Sequence, residues 1–179
     1  MITYFGVVII MLKSRDFIYM DVIDINGKNL GYIKDILINF NKREVTGFKV
    51  NPYKFISKGF NIIKEDIIYY NTKILVKKTT KESQLSFSQL RNMYVLDKNS
   101  NILGMVNDII FCGKTFELKG ISIKCGTFTG VFRERKILLI KDLILGEDNL
   151  LYFGEDDKFK LVVTPHKSLS KVVVNYEEN

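Results

Sequence analysis

The chain has 179 residues, with 27 Lys and Arg against 20 Asp and Glu, a formal net charge of +7. Apolar residues make up 46% of it, which is enough for a hydrophobic core and excludes a wholly disordered chain. The length fits one medium domain or two small ones.

The first apolar segment, MITYFGVVIIML, covers residues 1–12. It is much shorter than the ~20 apolar residues that span a bilayer, and no basic residue precedes it as in a signal peptide. We therefore predict a soluble, cytoplasmic protein without a transmembrane segment. Residues 1–12 are expected to form a short strand, or to be an upstream extension with Met11 as the true start.

An internal repeat occupies most of the chain. A shift of 73 aligns 22–50 with 95–123 without a gap, and nine of these 29 positions are identical. Farther along the shift becomes 76, which places a three-residue insertion around 124–135. Such self-similarity indicates one structural unit built twice. We predict domains at 12–78 (copy 1) and 86–155 (copy 2), followed by a strand-like extension at 156–179.

Each copy is rich in Ile, Val, Phe and Tyr between turn residues, a pattern typical of short strands. No window of ten or more residues has a helical apolar period, so we predict an all-β fold. One-turn helices are expected after Pro52 and around Asp66 and Asp142. The predicted strands are 22–25, 30–39, 44–50, 60–63, 67–70 and 73–77 in copy 1, and 94–96, 103–112, 117–124, 130–133, 137–140, 143–145 and 149–153 in copy 2.

The second strand of each copy loses its alternation of apolar and polar residues. Ile36, Leu37 and Ile38 are consecutive and apolar, and 109–111 repeat this. A strand covered on one face alternates cleanly, so the run indicates a bend, a bulge or burial of both faces. Strong bends are how a small sheet closes into a barrel.

The repeated pattern D-x-x-G-x-x-L-G-x-x-x-D-hydrophobic, followed by E-V-x-G and a later D-I, resembles the PRC-barrel domain family. Copy 2 departs from it at Ser100, where the turn glycine is expected, and by the insertion. The resemblance implies two tandem small β-barrels that dock onto other macromolecules without catalysis, as in photosynthetic reaction centres and ribosome maturation. The matching residues are Asp24, Gly27, Leu30, Gly31, Asp35, Glu44, Val45, Gly47, Asp66 and Ile67 in copy 1, and Asp97, Leu103, Gly104, Asp108, Glu117, Leu118, Gly120, Asp142 and Leu143 in copy 2.

The repeated aspartates, Asp35 and Asp108, could suggest paired catalytic or metal-binding carboxylates. Acid–base catalysis needs groups that converge on one substrate atom, and equivalent residues of two separate barrels are not expected to meet. We interpret both carboxylates as acceptors of backbone N–H bonds at the bend, where Gly31 and Gly104 give the chain room to turn.

Other signs of catalysis are weak. His166 is the only histidine, so a three-histidine zinc site within one chain is excluded, and no glycine-rich phosphate loop opens a helix. Cys112 and Cys125 lack the spacing of a zinc site, and we predict two reduced, mostly buried thiols. We expect no enzyme activity, no cofactor and no metal.

Two segments mix basic and aromatic residues, as nucleic-acid and protein interfaces do. Residues 1–80 also carry a net charge of +6, which favours an acidic partner. The leading hypothesis is a protein-interaction adaptor, and the alternative is a ribosome- or RNA-associated factor. In a purely structural interpretation, the aromatic residues only close one end of a barrel. A homodimer is also left open. The candidate partner-binding residues are Tyr53, Lys54, Phe55, Lys58, Arg133, Arg135 and Lys136.

A linker and a C-terminal tail complete the chain. The polar linker 77–84 is short, so the two copies are tethered closely and could share an interface. The tail contains KLVVT and KVVVNY, which predict either a hairpin over an edge of the second barrel or a strand offered to a partner. A small ligand between the two barrels is a third, remote hypothesis.

Overall fold

The computed structural model describes residues 10–53, 58–126 and 132–154, without the side chains of 126 and 132–134. Strands dominate these residues, which confirms the all-β prediction. The one-turn helix predicted after Pro52 and the tail hairpin fall outside the described residues. The helical segments within them are α1 (Phe87–Leu90) and the 3₁₀ turns Ser14–Asp16, Lys64–Asp66 and Ile140–Asp142.

Copy 1 forms a six-stranded sheet in the order β5-β4-β3-β2-β7-β6. Neighbouring strands are antiparallel except β2 and β7, which are parallel. The strand bounds lie within one residue of those predicted, because each strand ends at a polar turn. They are β2 (Asp21–Asp24), β3 (Asn29–Asn39), β4 (Glu44–Asn51), β5 (Phe60–Ile63), β6 (Ile67–Tyr70) and β7 (Lys73–Val76).

Copy 2 repeats this order in a second sheet, β11-β10-β9-β8-β13-β12, and β1 pairs with β9 as a seventh strand. One prediction is wrong: 130–133 and 137–140 are not separate strands, because pairing with β10 continues through the polar residues 134–136. The strands are β1 (Met11–Lys13), β8 (Tyr94–Leu96), β9 (Ile102–Cys112), β10 (Leu118–Gly126), β11 (Phe132–Leu139), β12 (Leu143–Leu145) and β13 (Asn149–Tyr152).

The predicted bend of the second strand is present in both copies. The pairing of β3 with β4 shifts between Ile33 and Asp35, and again between Leu37 and Ile38. The β9–β10 pair shifts at equivalent places. Ile36, Leu37 and Ile38 are all buried, so both faces of β3 are covered beyond the first bulge.

Beyond the first bulge, one edge of the second strand of each copy pairs with the chain segment at the start of the other copy. Ser86, at the start of copy 2, forms a β-bridge with Leu37 of copy 1. Lys13, at the start of copy 1, pairs with Ile110 of copy 2. Ser86 lies 73 positions after Lys13, and Ile110 lies 73 positions after Leu37, so the two pairs are repeat equivalents. The two copies therefore exchange equivalent segments.

The hairpin tips meet in the same reciprocal way. Val45 N–H donates to Phe116 O at 2.8 Å, and Leu118 N–H donates to Arg43 O at 2.8 Å. Glu44 and Glu117, which are repeat equivalents, form a β-bridge with each other. An internal pseudo-twofold axis therefore passes between them, as in a symmetric dimer. The expectation that equivalent residues of the copies do not meet is wrong here.

The two copies share one hydrophobic core. At its centre, Phe17, Phe48 and Tyr70 of copy 1 pack against Phe111 and Phe116 of copy 2. The Phe17 ring stacks on Phe48 at 4.6 Å and on Phe111 at 5.7 Å between centroids. The predicted close tethering thus extends to a continuous interface. We call this interface the joint; it consists of these five aromatic residues and the exchanged segments around Lys13 and Ser86.

Candidate interaction surfaces

The repeated aspartates form hydrogen bonds across the joint. Asp35 accepts backbone N–H bonds from Ile36 at 2.8 Å and from Ser88 of α1 at 3.2 Å. Asp108 accepts the N–H of Ile109 at 2.8 Å, the N–H of Ser14 at 3.0 Å and the Ser14 hydroxyl at 2.6 Å. Both carboxylates are backbone acceptors, as interpreted from the sequence, and each also binds the segment at the start of the other copy.

The repeated glycines mark close approaches between strands. A Cβ on Gly31 would collide with the carbonyl of Asn51, and one on Gly104 would lie 2.5 Å from the carbonyl of Lys124, the repeat equivalent of Asn51. Gly47 and Gly120 face the carbonyls of the next strand in the same manner. The remaining residues predicted as structural, Leu30 and Leu103, are half-buried against the core.

A cleft of about 730 Å³ opens at the joint, within the size range of ligand pockets. Its base is apolar, with Leu12, Phe17 and Met20. Two acidic and two basic residues line its polar part, namely Asp16, Glu117, Lys114 and Lys119. The charges balance, so the cleft does not select one sign of ligand by electrostatics.

Cys112 and Tyr70 also line this cleft. Burial opposes ionisation of Cys112, but hydrogen bonds from Thr115 and the backbone of Lys114, together with the charge of Lys119, lower its pKa below the ordinary value. Burial raises the pKa of Tyr70, whose hydroxyl donates to Gly113 O. Neither cysteine forms a disulfide; Cys112 is buried and Cys125 is half-buried.

Three tyrosines form a continuous row on the outward face of copy 1, which we call the tyrosine face. Tyr32 of β3 contacts Tyr19 at 5.9 Å and Tyr53 at 5.6 Å between ring centroids. Tyr19 is 78% exposed and Tyr53 is 56% exposed. Only Tyr53 was predicted as a site residue, because Tyr32 joins it through the pairing of β3 with β4, and Tyr19 joins Tyr32 through a backbone hydrogen bond to Ile33.

Electrostatics hold Tyr53 in place on this face. Its hydroxyl donates to Asp21, and this bond raises the pKa of Tyr53. The same bond, together with Lys73 at 3.4 Å, lowers the pKa of Asp21. The tyrosine ring is therefore fixed by its hydroxyl while its flat side remains exposed.

The equivalent outward face of copy 2 is aliphatic. Across neighbouring strands, Ile144 lies opposite Leu151, Leu151 opposite Leu96, and Leu96 opposite Ile102. One apolar row therefore crosses four strands. Ile102 is 63% exposed, Ile144 54% and Leu151 44%. Tyr94 and Phe153 are exposed on the same side, because each lies two residues from a member of the row. We call Tyr94, Leu96, Ile102, Ile144, Leu151 and Phe153 the aliphatic face.

The predicted basic–aromatic residues do not form one site. Tyr53 and Lys58 follow β4, and Arg135 and Lys136 lie on β11, which pairs with β10. The pseudo-twofold axis relates β4 to β10, so these two groups of described residues lie at opposite ends of the joined hairpins. Lys58, Arg135 and Lys136 are exposed. Lys54 and Phe55 fall outside the described residues, as does the side chain of Arg133.

Two further features concern the described ranges alone. They contain no cluster of three or more histidine, cysteine, aspartate or glutamate residues that could hold a metal ion. No helix in them is long and apolar enough to cross a bilayer.

Two sheets of the same strand order, joined about an internal twofold axis, define a tandem-repeat β protein. Comparison with protein families then identifies the repeat: the PRC-barrel domain matches residues 10–82 and again 82–173. The chain therefore belongs to the PRC-barrel domain family, as a tandem pair. No curated protein matches it.

Proposed function

We propose that the chain is a non-catalytic protein-interaction adaptor that binds a protein partner through the tyrosine face of copy 1. The supporting observation is that the same outward face carries two different surfaces in the two copies. Tyr19, Tyr32 and Tyr53 correspond to Asn92, Met105 and Gly126 in copy 2. A duplicated fold with differentiated faces suits an adaptor, because one chain then offers two distinct contacts in a fixed geometry.

The chemistry of the tyrosine face fits a protein partner. Tyrosine provides a large, rigid and amphipathic contact area at a low cost in conformational entropy, and it is enriched among residues that dominate binding energy. Here the rings are already ordered, Tyr53 by its bond to Asp21 and Tyr32 by the bond from the Asn51 amide at 2.9 Å. Little ordering remains to be done on binding.

The absence of catalysis is part of the proposal. The repeated carboxylates, which are the residues most suggestive of acid–base chemistry, accept backbone hydrogen bonds at the joint. That use leaves them buried under the exchanged segments.

We also propose that each sheet closes as the barrel of its family and that the protein acts in the cytoplasm. Two bulges in β3 bend the sheet of copy 1. The linker supports closure, because Thr80 forms a β-bridge with Asn61 on the edge strand β5.

A photo-crosslinking experiment tests the protein partner. Benzoylphenylalanine is placed at Tyr19, and a matched variant carries it at Asn92, the equivalent exposed position in copy 2. We expect Tyr19-labelled protein to capture a discrete protein after nuclease digestion, the Asn92-labelled protein to miss it, and Tyr32→Ala or Tyr53→Ala to reduce capture at least tenfold. Equal capture from both positions would contradict the proposal.

The alternative function, an RNA- or ribosome-associated factor, uses the same face. Exposed aromatic rings next to lysines bind single strands by stacking. Lys34 and Lys73 are exposed on the same sheet, and Lys58 follows the loop beyond Tyr53. In this case crosslinks from Tyr19 would disappear with nuclease, and binding would weaken steeply with salt, which protein capture would not.

A further inference from the structure

We propose that the aliphatic face binds the aliphatic face of a second copy of this chain, giving a dimer with twofold symmetry. This inference goes beyond the adaptor function and does not depend on the partner of the tyrosine face. The key observation is the row Ile144–Leu151–Leu96–Ile102, which crosses four paired strands and is at least partly exposed throughout.

Three positions of the aliphatic face are also apolar in copy 1, where Ile68, Leu75 and Ile23 correspond to Ile144, Leu151 and Leu96, and the other three differ. Tyr94 and Phe153 are replaced there by Asp21 and Lys77, and Ile102 by Asn29. Lys73 forms a salt bridge with Asp21 on that face, at the start of β7 and β2. One of two equivalent faces has thus remained apolar, while the other is interrupted by charge.

A second copy fits this surface better than a partner of other chemistry. The six side chains carry no formal charge, so the face is complementary to itself without any charge matching. One sheet face can pack against another at a small angle between their strands. Because one such face occurs among residues 10–53, 58–126 and 132–154, the association closes as a twofold dimer instead of growing into a polymer.

The area of the aliphatic face indicates the size class of the interface. Since large apolar side chains each contribute ~150–250 Å² when fully exposed, the aliphatic face offers roughly 500 Å². A face-to-face dimer would bury about 1,000 Å², close to the lower limit of specific interfaces. We therefore expect a dissociation constant on the order of micromolar and a dimer that dissociates on dilution.

Sedimentation equilibrium of the full chain across a concentration series tests this proposal. We expect dimer, and at least a tenfold weaker association for Leu151→Lys or Ile144→Lys. The matched control is Leu75→Lys, the equivalent of Leu151 in copy 1, which should leave association unchanged. A mixture of Leu151→Lys with Leu151→Glu should recover the dimer, which separates a lost interface from a lost fold.

Three results would overturn the proposal. The full chain could be monomeric at all concentrations. It could be monomeric as the full chain but dimeric when residues 155–179, which follow directly after the aliphatic face, are removed; the tail would then occupy the face. Finally, a dimer that survives both Lys substitutions would have to form through another surface.

Discussion

At the residue scale, Asp35 and Asp108 are the most informative positions, because each fastens a segment of the opposite copy. A buried carboxylate with several backbone partners contributes more than an ordinary hydrogen bond. We predict that Asp35→Ala or Asp108→Ala lowers the free energy of unfolding by about 2–3 kcal/mol in urea titrations. Asp148→Ala, at an exposed turn position, should change it by less than ~0.5 kcal/mol. Equal small effects at all three positions would refute the fastening role.

Ser100 is the residue at which copy 2 departs from the family pattern, and the structure shows what the departure costs. It adopts a φ of 64°, where its equivalent Gly27 has a φ of 77°. Left-handed backbone is unfavourable for serine and open to glycine. We predict that Ser100→Gly raises the free energy of unfolding by about 0.5–1 kcal/mol and that Gly27→Ser lowers it by a similar amount. Thermal melts of the two variants check both signs.

The Tyr53–Asp21 pair predicts a pH dependence on the tyrosine face. The carboxylate of Asp21 raises the pKa of Tyr53, so Asp21→Asn should shift the titration of Tyr53 to lower pH, toward its ordinary value. The pKa of Asp21 is lowered by the same bond. The bond therefore stabilises the protein fully above the ordinary pKa range of a carboxyl group, and this stabilisation is lost as the pH falls through the lowered pKa of Asp21. NMR titration of the Tyr53 ring measures both; an unchanged alkaline titration in Asp21→Asn would contradict the pairing.

At the scale of elements, the sequence predicts the strands well because local chemistry determines them. Apolar runs such as those of β3 and β9 end at Asn, Asp and Gly turns, and the loss of alternation in β3 predicts its bulges. The single long strand β11 is the exception, because its hydrogen bonds to β10 override its polar middle. Pairing partners far along the chain supply energy that local propensity does not record.

The exchange of segments could not be predicted in this way. Met11–Lys13 reads as the beginning of copy 1, yet it pairs with β9 of copy 2. Nothing in three residues specifies a partner about a hundred positions away. A partial signal did exist in the consecutive apolar residues of β3 and β9, which indicate a bulge or burial of both faces.

The joint predicts a large effect for its central ring. Phe17 is 1% exposed and stacks on rings of both copies. We predict that Phe17→Ala lowers the free energy of unfolding by about 3–5 kcal/mol, measured by urea titration at equilibrium. Tyr19→Ala, two residues away on the tyrosine face, should cost less than ~1 kcal/mol. A Phe17 variant that unfolds in two separate steps, with copy 2 unaffected, would show that the joint is not shared.

At the scale of the whole molecule, duplication followed by differentiation explains where function is expected. The positions that match between copies build the bend, the close strand approaches and the joint. The positions that differ on the outward face produce the tyrosine face and the aliphatic face. Of the predicted partner-binding residues, the structure brings Tyr53 together with Tyr19 and Tyr32, which the sequence alone did not connect because they come from separate elements. A residue-by-residue comparison of the copies contains that signal, since Tyr19 and Tyr32 have no aromatic counterpart in copy 2.

The central claim is that the two copies form one unit that holds these faces in a fixed relation. Hydrogen exchange at the amides of Val45 and Leu118 tests it most directly, because each donates to a carbonyl of the opposite copy. If the joint opens only when the whole chain unfolds, both amides exchange with the same free energy as the buried amides of Ile33 and Val106, which donate to Met20 O and Met93 O within each copy. Exchange of Val45 and Leu118 at a clearly lower free energy, with the core amides still protected, would contradict the claim and describe two independent domains on a tether.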